Sequence, residues 1–262
     1  LWIGTEDGGL NRFNPKTKTF SFFTPSNAFT NVHGLCMVGD NLWVGTFSKG
    51  VKLVDTRTGA IVKTYLKTES PHSLVDNSVF SICRTTTGDI YLGTLFGLLR
   101  YNKQLDGFDR IPELNGKFVY DIKEDSGGNL WLATYANGAY CYNVNEKRWK
   151  NYLHDENNPK SLPYDKVVSI FEDSHRQVWL TTQGGGFCCF HSDTETFTNY
   201  SLADGLPNDV VYQIVEDKEG YFWLTTNKGL LRFDREKGEF KSFTIANGLL
   251  CNQFNYRSSL KT

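Results

Sequence analysis

Three Glu-Asp pairs are the first residues in this sequence that could do chemistry. They stand at 124–125, 172–173 and 216–217. Two adjacent carboxylates could serve as a general acid and a general base. Each pair, however, stands at the same place in an internal repeat, directly before a short polar segment, and carboxylates there bond the local backbone of a turn. We therefore assign the pairs to turn formation, and we expect no catalytic residue and no enzyme activity in this domain.

The histidines and glycines give no pattern of a metal or phosphate site. No HExxH motif or paired histidine spacing occurs, and the triple glycine at 184–186 is followed by neither Lys-Ser nor Lys-Thr. We therefore expect neither a metal nor a cofactor. The five histidines are spread along the chain, at His33, His72, His154, His175 and His191.

A tandem repeat organises the whole chain. An aromatic anchor recurs at spacings of 41, 48, 40, 48 and 44 residues, with a threonine three positions later and a glycine six or seven positions later. A residue that recurs in every copy is more simply explained by the scaffold than by a binding site. We therefore interpret the anchors as structural: Trp2, Trp43, Tyr91, Trp131, Trp179 and Trp223.

Each copy reads as four short strands, which we label A to D. Strand A has the pattern Val-x-x-Ile, strand B carries the anchor, strand C follows the glycine, and strand D carries a further aromatic residue. No helical period is sustained. A strand-rich period near 44 residues predicts an all-β fold, a β-propeller of four-stranded antiparallel blades with six repeats visible.

The two ends of the repeat bear on the number of blades. The first copy begins at strand B, and 254–262 read as a strand A of the closing blade. That strand either completes the first blade, giving a ring of six, or opens a seventh. We favour seven blades in an intact parent, because residues 1–262 read as a single propeller domain excised from a longer chain.

Composition excludes two classes of function. The net charge is −1 and no basic block occurs, so the electrostatic footprint of a nucleic-acid binder is missing. No apolar run approaches 18 residues, so we expect no membrane contact by this segment. The six cysteines show no CxxC and fall mostly in predicted strands, which favours buried, unpaired thiols.

The combined motifs resemble the two-component regulator propeller repeat. They are Val-x-x-Ile-x-Glu-Asp, Leu-Trp-Leu-x-Thr and Gly-Leu-x-Arg-Phe-Asp, and 247–256 is similar to the entry into the last blade of such propellers. The resemblance implies the periplasmic sensor region of a hybrid two-component system (histidine kinase/response regulator). In that family two seven-bladed propellers precede a β-sandwich, a membrane helix and a histidine kinase, and the ligands are oligosaccharides. The implied partners are an oligosaccharide or other small ligand, neighbouring propeller and β-sandwich domains, and a second copy in a homodimer.

Departures from the repeat are where we expect ligand binding. The B–C turns and the D–A connections share one face, and several of these turns carry aromatic or amide side chains. Such residues suit a sugar, whose CH face meets an aromatic ring and whose hydroxyls bond polar groups; they also suit simple packing under the neighbouring connections. The candidate ligand-binding residues are Phe47, Lys49, Phe96, Tyr135, Asn137, Gln183 and Asn227.

The long connections 66–77 and 153–165 are expected to wall this face. Four connections share an ending, in which a leucine is expected to plug between blades and the Asn or Asp three residues later to bond the backbone that enters strand A: Leu74/Asn77, Leu162/Asp165, Leu206/Asp209 and Leu249/Asn252. Two alternative functions stay open. One is a glycan-active enzyme, a glycosidase or lyase, using His72, His154, Asp155 or Glu156. The other is a protein-interaction or dimerisation scaffold.

Overall fold

Short antiparallel strands form nearly all regular structure in this chain. The computed structural model describes residues 1–23 and 31–260. Its strands form one three-stranded and five four-stranded sheets, each with its strands in chain order. This confirms the prediction of an all-β propeller of four-stranded blades, with six blades in this chain. Single-turn 3-10 helices lie between strands at Pro112–Leu114 and Leu202–Asp204, and another follows the last strand at Ile245–Asn247.

The chain forms two compact units, Leu1–Ile122 and Lys123–Thr262. The first unit contains blade 1 (β1–β3), blade 2 (β4–β7) and blade 3 (β8–β11). Its strands are β1 (Trp2–Thr5), β2 (Gly9–Asn14), β3 (Thr19–Phe23), β4 (Val32–Val38), β5 (Asn41–Thr46), β6 (Val51–Asp55), β7 (Ile61–Tyr65), β8 (Val79–Arg84), β9 (Ile90–Thr94), β10 (Gly97–Asn102) and β11 (Gly107–Arg110).

Blade 4 (β12–β15) begins with a strand that contains the boundary, and the second unit continues with blade 5 (β16–β19) and blade 6 (β20–β23). The strands are β12 (Val119–Glu124), β13 (Leu130–Thr134), β14 (Ala139–Asn143), β15 (Arg148–Tyr152), β16 (Val167–Glu172), β17 (Val178–Thr182), β18 (Phe187–His191), β19 (Thr196–Tyr200), β20 (Val211–Glu216), β21 (Phe222–Thr226), β22 (Gly229–Asp234) and β23 (Glu239–Phe243).

An aspartate fixes the turn between strands A and B in blades 4, 5 and 6. In blade 4, Asp125 Oδ1 accepts hydrogen bonds from the amides of Gly127 and Asn129, while Oδ2 accepts one from Trp131 Nε1 at 2.9 Å. One carboxylate thus closes the turn and holds the anchor indole of the next strand. Asp173 and Asp217 make the same bonds to Trp179 and Trp223.

The recurring threonine and glycine close the turn between strands B and C. In blade 4, buried Thr134 donates its hydroxyl to the carbonyl of Gly138 at 2.6 Å, and the Gly138 amide donates to the carbonyl of Asp165 at 2.9 Å. A Cβ on Gly138 would lie 2.0 Å from the carbonyl oxygen of Tyr152, so only glycine fits there. The turn is therefore tied to both its own blade and the following connection.

Leucines from two of the connections fill the space between blades, as predicted. Leu74 packs with the anchor Trp43 and residues of blades 2 and 3, and Leu206 packs with the anchor Trp179 and residues of blades 5 and 6. Leu162 is also fully buried, whereas Leu249 is half-buried. Of the anchors, Trp43, Trp131 and Trp179 are at most 3% exposed, whereas Trp2, Tyr91 and Trp223 are half-buried.

The Asn and Asp residues of the connections differ from the prediction. Their side chains bond the start of the connection, not the backbone that enters strand A: Asn77 Oδ1 accepts from the Lys67 amide and Asp165 Oδ1 from the His154 amide, both at 2.7 Å. The side chain therefore closes the connection into a loop. Its own main-chain carbonyl is left to accept the amide of the strand C glycine, as Asn77 does for Gly50.

The long connections also run along the edges of outer strands, and the walled groove stays a prediction. The connection 66–77 runs along the outer strand of the next blade, where the His72 carbonyl accepts the Phe108 amide at 2.8 Å. The connection 153–165 does the same, since the Lys160 carbonyl accepts the Phe197 amide at 2.8 Å. Both cover the free edge of a strand D, a position that sheet proteins commonly protect.

No strand A forms over residues 254–260, and 261–262 lie outside the described residues. A strand needs a ladder of main-chain bonds, and this segment makes one main-chain bond to a strand, from the Phe254 amide to the Thr226 carbonyl at 3.0 Å. Its other bonds to the sheet come from or reach side chains. Assignment of the segment to a closing blade stays a prediction.

Replacing Trp131 by alanine should lower the free energy of unfolding by roughly 3–5 kcal/mol. The side chain is 2% exposed and its indole is bonded to Asp125, so its removal leaves a cavity and deletes one of the two hydrogen bonds that Asp125 Oδ2 accepts. Urea unfolding followed by tryptophan fluorescence measures the change. Phe22→Ala is the control, because Phe22 is 73% exposed and its loss should cost within about 0.5 kcal/mol.

All six cysteines are free, so a thiol reagent should count six in denaturant without reductant. In the folded protein Cys251 is exposed and should react first. Cys188 should not react, because burial raises the pKa of its thiol and hinders access. Four or fewer thiols in denaturant, or fast labelling of Cys188 in the native state, would contradict this assignment.

Candidate functional site

A β-bulge in strand A turns one side chain per blade out of register. The register skips one residue in β4, β8, β16 and β20, between positions Val32/Gly34, Val79/Ser81, Val167/Ser169 and Val211/Gln213. Bulges re-aim a side chain and are common beside functional sites. The skipped residues are His33, Phe80, Val168 and Tyr212.

In the first unit these residues build a continuous group of rings, which we call the aromatic row: His33, Phe47, Phe80, Phe118 and Tyr120. The ring centroids of His33 and Phe80 are 4.7 Å apart, those of Phe80 and Phe118 4.5 Å, and those of Phe118 and Tyr120 4.4 Å. All but Phe47 are half-buried. The rings are thus held by one another while part of each stays accessible.

Phe47 is the one predicted ligand residue that joins the aromatic row. It is 43% exposed, and its ring centroid lies 6.3 Å from that of Phe80 and 6.5 Å from that of His33, both with edge-to-face geometry. Its amide donates to the Asn31 carbonyl at 2.9 Å, which fixes the turn. Phe47 packs beside the bulge residues. The alternative interpretation, that this ring packs under a long connection, therefore does not apply to it.

The two other predicted residues of the first unit stand outside the row. Phe96 is 50% exposed, and the structure gives it no ring partner among residues 1–23 and 31–260. Its amide donates to Thr94 Oγ1 and its carbonyl accepts the Gly116 amide, so the turn itself is fixed. Lys49 is exposed.

In the second unit Tyr135 and Gln183 come together through Lys166. The ammonium of Lys166 lies 4.0 Å from the centroid of the Tyr135 ring, a cation–π contact, and the Lys166 carbonyl accepts the Gln183 amide at 3.0 Å. Tyr135 is 42% exposed.

The C-terminal segment contributes further contacts to this face. Tyr256 donates its hydroxyl to Gln183 Oε1 at 2.9 Å, and its ring centroid lies 4.8 Å from that of Tyr212. Ser259 donates both its amide and its hydroxyl to Gln213 Oε1. A candidate ligand residue and a bulge residue are therefore bonded or covered by the chain itself.

The last two predicted residues, Asn137 and Asn227, are both half-buried. Asn227 Oδ1 is buried and has no hydrogen-bond partner in the described part of the chain. Such an atom is unfavourable unless something outside the described residues bonds it.

Sequence reasoning missed most of the aromatic row and all of the bulge. The available signal was the variation around the fixed Val-x-x-Ile pattern of strand A. The residue before the valine and the residue after it change from copy to copy, while the valine itself does not. Those variable positions are Asn31/His33, Ser78/Phe80, Phe118/Tyr120, Lys166/Val168 and Val210/Tyr212.

The residues proposed for an enzyme alternative are not assembled into a site. His72 lies 3.3 Å from Asp109, and His154 Nδ1 lies 2.8 Å from the Leu162 carbonyl. Asp155 caps its own connection by accepting the Asn157 amide, and Glu156 is exposed. His72 thus pairs with a strand of the next blade, whereas His154 and Asp155 bond within their own connection.

The Glu-Asp pairs are used by the scaffold. While the aspartate closes its own turn, the glutamate reaches the turn of the preceding blade: Glu172 accepts the Ser126 amide at 2.9 and 3.0 Å, and Glu216 accepts the Ser174 amide at 2.9 Å. Among the described residues no cluster of His, Cys, Asp and Glu could hold a metal ion. Within the same residues no helix is long and apolar enough to span a membrane.

Two segments of the chain, residues 113–136 and 205–228, match the model of the two component regulator propeller family. Each covers the entry to a blade, its strand A and its strand B. This chain carries two component regulator propeller repeats. The resemblance seen in the motifs is thereby confirmed.

Relatives of this propeller are longer proteins. Over 276 residues the chain is 26% identical to Histidine kinase P4 of Formosa agariphila, covering 99% of this chain and 20% of that protein. The extracellular domain of the hybrid two component system BT3049 of B. thetaiotaomicron superposes with a TM-score of 0.77 at 21% identity, covering 96% of this chain and 34% of that chain. The chain thus spans about a fifth to a third of these relatives.

The propeller fold also occurs in an enzyme with which this chain superposes. Virginiamycin B lyase from Staphylococcus aureus, solved with quinupristin, gives a TM-score of 0.61 at 16% identity, covering 83% of this chain and 71% of that chain. At this identity the likeness shows the fold alone.

Proposed function

We propose that this chain is an extracytoplasmic ligand-sensing propeller of a two-component signalling receptor, and that its ligand is an oligosaccharide. The observation that carries the proposal is the aromatic row. The fold fixes the backbone conformation of a bulge residue, but it does not require an aromatic side chain there, because blade 5 has Val168 at the same position. The first unit nonetheless fills this position and its neighbours with rings.

The chemistry of the row favours a sugar over a charged ligand. Rings that are half-buried and in mutual contact offer flat apolar surface, which matches the CH face of a pyranose ring. Lys49 adds a polar donor near Phe47 in the same turn, and the chain as a whole has a net charge of −1. A neutral or weakly charged oligosaccharide therefore suits this surface better than a nucleotide.

The relatives support the receptor and its location. A protein named as a histidine kinase aligns over almost the whole chain, and the extracellular domain of a hybrid two component system shares its fold. By this likeness the domain faces the periplasm, signals without catalysing a reaction, and acts next to other domains of its parent. A homodimer through these domains is part of the same proposal.

A thermal-shift screen with neutral oligosaccharides tests the ligand. A cognate sugar at a hundredfold excess over its dissociation constant should stabilise the fold by about 2.7 kcal/mol. Phe47→Ala should weaken binding roughly tenfold, because the ring is exposed and its loss removes contact area with little harm to the core. Phe20→Ala, which removes a ring that is 54% exposed on β3, is the matched control and should bind normally.

Each alternative function has its own outcome in this screen. Equal affinity of the Phe47→Ala and Phe20→Ala variants would remove the row from the site, and Phe96→Ala and Tyr135→Ala then test the other predicted turns. Turnover of any sugar in the panel would favour the glycan-active enzyme. Self-association without a response to any ligand would favour the interaction scaffold.

A further inference from the structure

A cavity of about 430 Å³ lies between blades 4 and 5 of the second unit, on the side of the A–B and C–D turns. Its lining includes Trp131, Cys141 and Tyr152 from blade 4, and Phe190 from blade 5. Its size is within the range of small-molecule sites, about 300–1,000 Å³. None of the residues of the aromatic row lines this cavity.

The junction of blades 2 and 3 shows how the repeat normally uses this space. There Trp43 stacks with Tyr65 at 5.7 Å and meets Tyr101 edge-on at 5.0 Å. The Tyr65 hydroxyl donates to Asp106 Oδ1 at 2.7 Å, and the Tyr101 hydroxyl donates to the same oxygen at 2.9 Å. Lys63 completes the group by pairing with Asp106.

Blades 4 and 5 repeat this geometry with one hydroxyl removed. Trp131 stacks with Tyr152 at 5.8 Å and meets Phe190 edge-on at 4.8 Å, while Lys150 pairs with Glu195. Phe190 stands where the other junction has Tyr101. The Tyr152 hydroxyl has no hydrogen-bond partner among the described residues, whereas the equivalent Tyr65 hydroxyl donates to Asp106, whose place is taken here by Glu195.

A second substitution opens the same junction. In blade 6, Arg235 donates to Glu216 Oε1 of its own blade at 2.9 Å and reaches back to blade 5, where it donates to Asp173 Oδ2 at 2.6 Å. The position equivalent to Arg235 in blade 5 is Ser192, which lines the cavity. A short side chain thus replaces a long one that would occupy this space.

A third departure places a cation at the cavity. The fourth residue of the A–B turn has a positive φ, and it is glycine in blades 3, 4 and 6: Gly88, Gly128 and Gly220. In blade 5 it is Arg176, with φ of +64°, a conformation that a residue with a Cβ rarely adopts. Arg176 lines the cavity, and its guanidinium has no partner within the described residues. Strain of this kind is retained at functional sites more often than elsewhere.

The charges at the cavity restrict the ligand. Five carboxylates and three basic side chains line it, which gives a net charge of −2 with the histidine neutral; this charge repels anions, and it repels a phosphate or another multiply charged anion more strongly than a monoanion. Four of the carboxylates are already bonded, at Asp125, Glu146, Glu172 and Glu195. The guanidinium of Arg176 is therefore available for one carboxylate of a ligand.

We propose that this cavity is a second binding site, specific for a small cyclic monocarboxylate. The carboxylate pairs with Arg176, the ring lies against Tyr152 and Phe190, and the Tyr152 hydroxyl bonds a polar atom of the ligand. An aryl acid and a sugar acid share this chemistry. The site is independent of the aromatic row, so either proposal can fail without the other.

Titration of the whole chain with phenylacetate and with glucuronate, each against its neutral analogue 2-phenylethanol or glucose, tests the proposal by calorimetry. One of the two acids should bind at least tenfold more tightly than its neutral analogue, and which acid binds identifies the source of the ligand. Lack of binding by both acids up to millimolar concentration, or equal binding of acid and analogue, would overturn the proposal.

Three variants copied from or matched to the chain's own repeats give the controls. Arg176→Gly installs the glycine of the other blades and Arg176→Gln keeps the strained backbone without the charge; both should lose at least tenfold in affinity, and the glycine variant should melt no lower than the parent chain. Ser192→Arg should fill the cavity as Arg235 does in the next junction, and abolish binding. Retained affinity in the two Arg176 variants would refute the site. All three should respond to the oligosaccharide panel as the parent chain does.

Discussion

One shared carboxylate sets the geometry of a blade in this propeller. The aspartate of the A–B turn accepts two amides of the turn with one oxygen and the indole N–H of the anchor tryptophan with the other, as Asp173 does for Trp179. The indole in turn packs against the next blade, where Trp179 meets Phe222 edge-on at 5.0 Å. A bond within one turn thereby fixes the surface on which the following blade rests.

This coupling explains why the recurring Glu-Asp pairs serve the scaffold: their carboxylates are already hydrogen-bonded within the turns. The aspartate is saturated by its own turn, and the glutamate before it bonds the turn of the previous blade, as Glu216 does with Ser174. Arg235 reinforces one such joint with two further bonds at side chains that are almost completely buried. Function must then come from positions that the joint does not use, and these are the bulge of strand A and the tips of turns.

The residues that recur in every blade were predictable from the sequence, whereas the contacts between side chains and the pairing of strands were not. The anchors, the turn glycines and the buried leucines could be predicted from their spacing, because a residue type that recurs at one position of several copies marks a structural role that a single copy does not show. The bond between Asp125 and Trp131 crosses a turn and could not be read from spacing alone. The bulge at Phe80 was hidden for a different reason: it is defined by how β8 pairs with β9, and the residue types of one strand do not give that register.

The candidate sites were less predictable than the fold. The cavity in particular depends on side chains that the junction of blades 4 and 5 lacks and that other junctions have. Phe47 was found because an aromatic residue in a turn is conspicuous, whereas Phe190 looks ordinary until it is compared with Tyr101 in space. Tyr152 lacks the bond that Tyr65 makes to Asp106, and the short Ser192 leaves room where Arg235 would lie. Each change alone would weaken a joint. Arg176 adds a cation in a backbone conformation that suits glycine. The junction of blades 4 and 5 therefore lacks internal bonds that are present in other junctions, and it leaves polar groups that can bond a ligand.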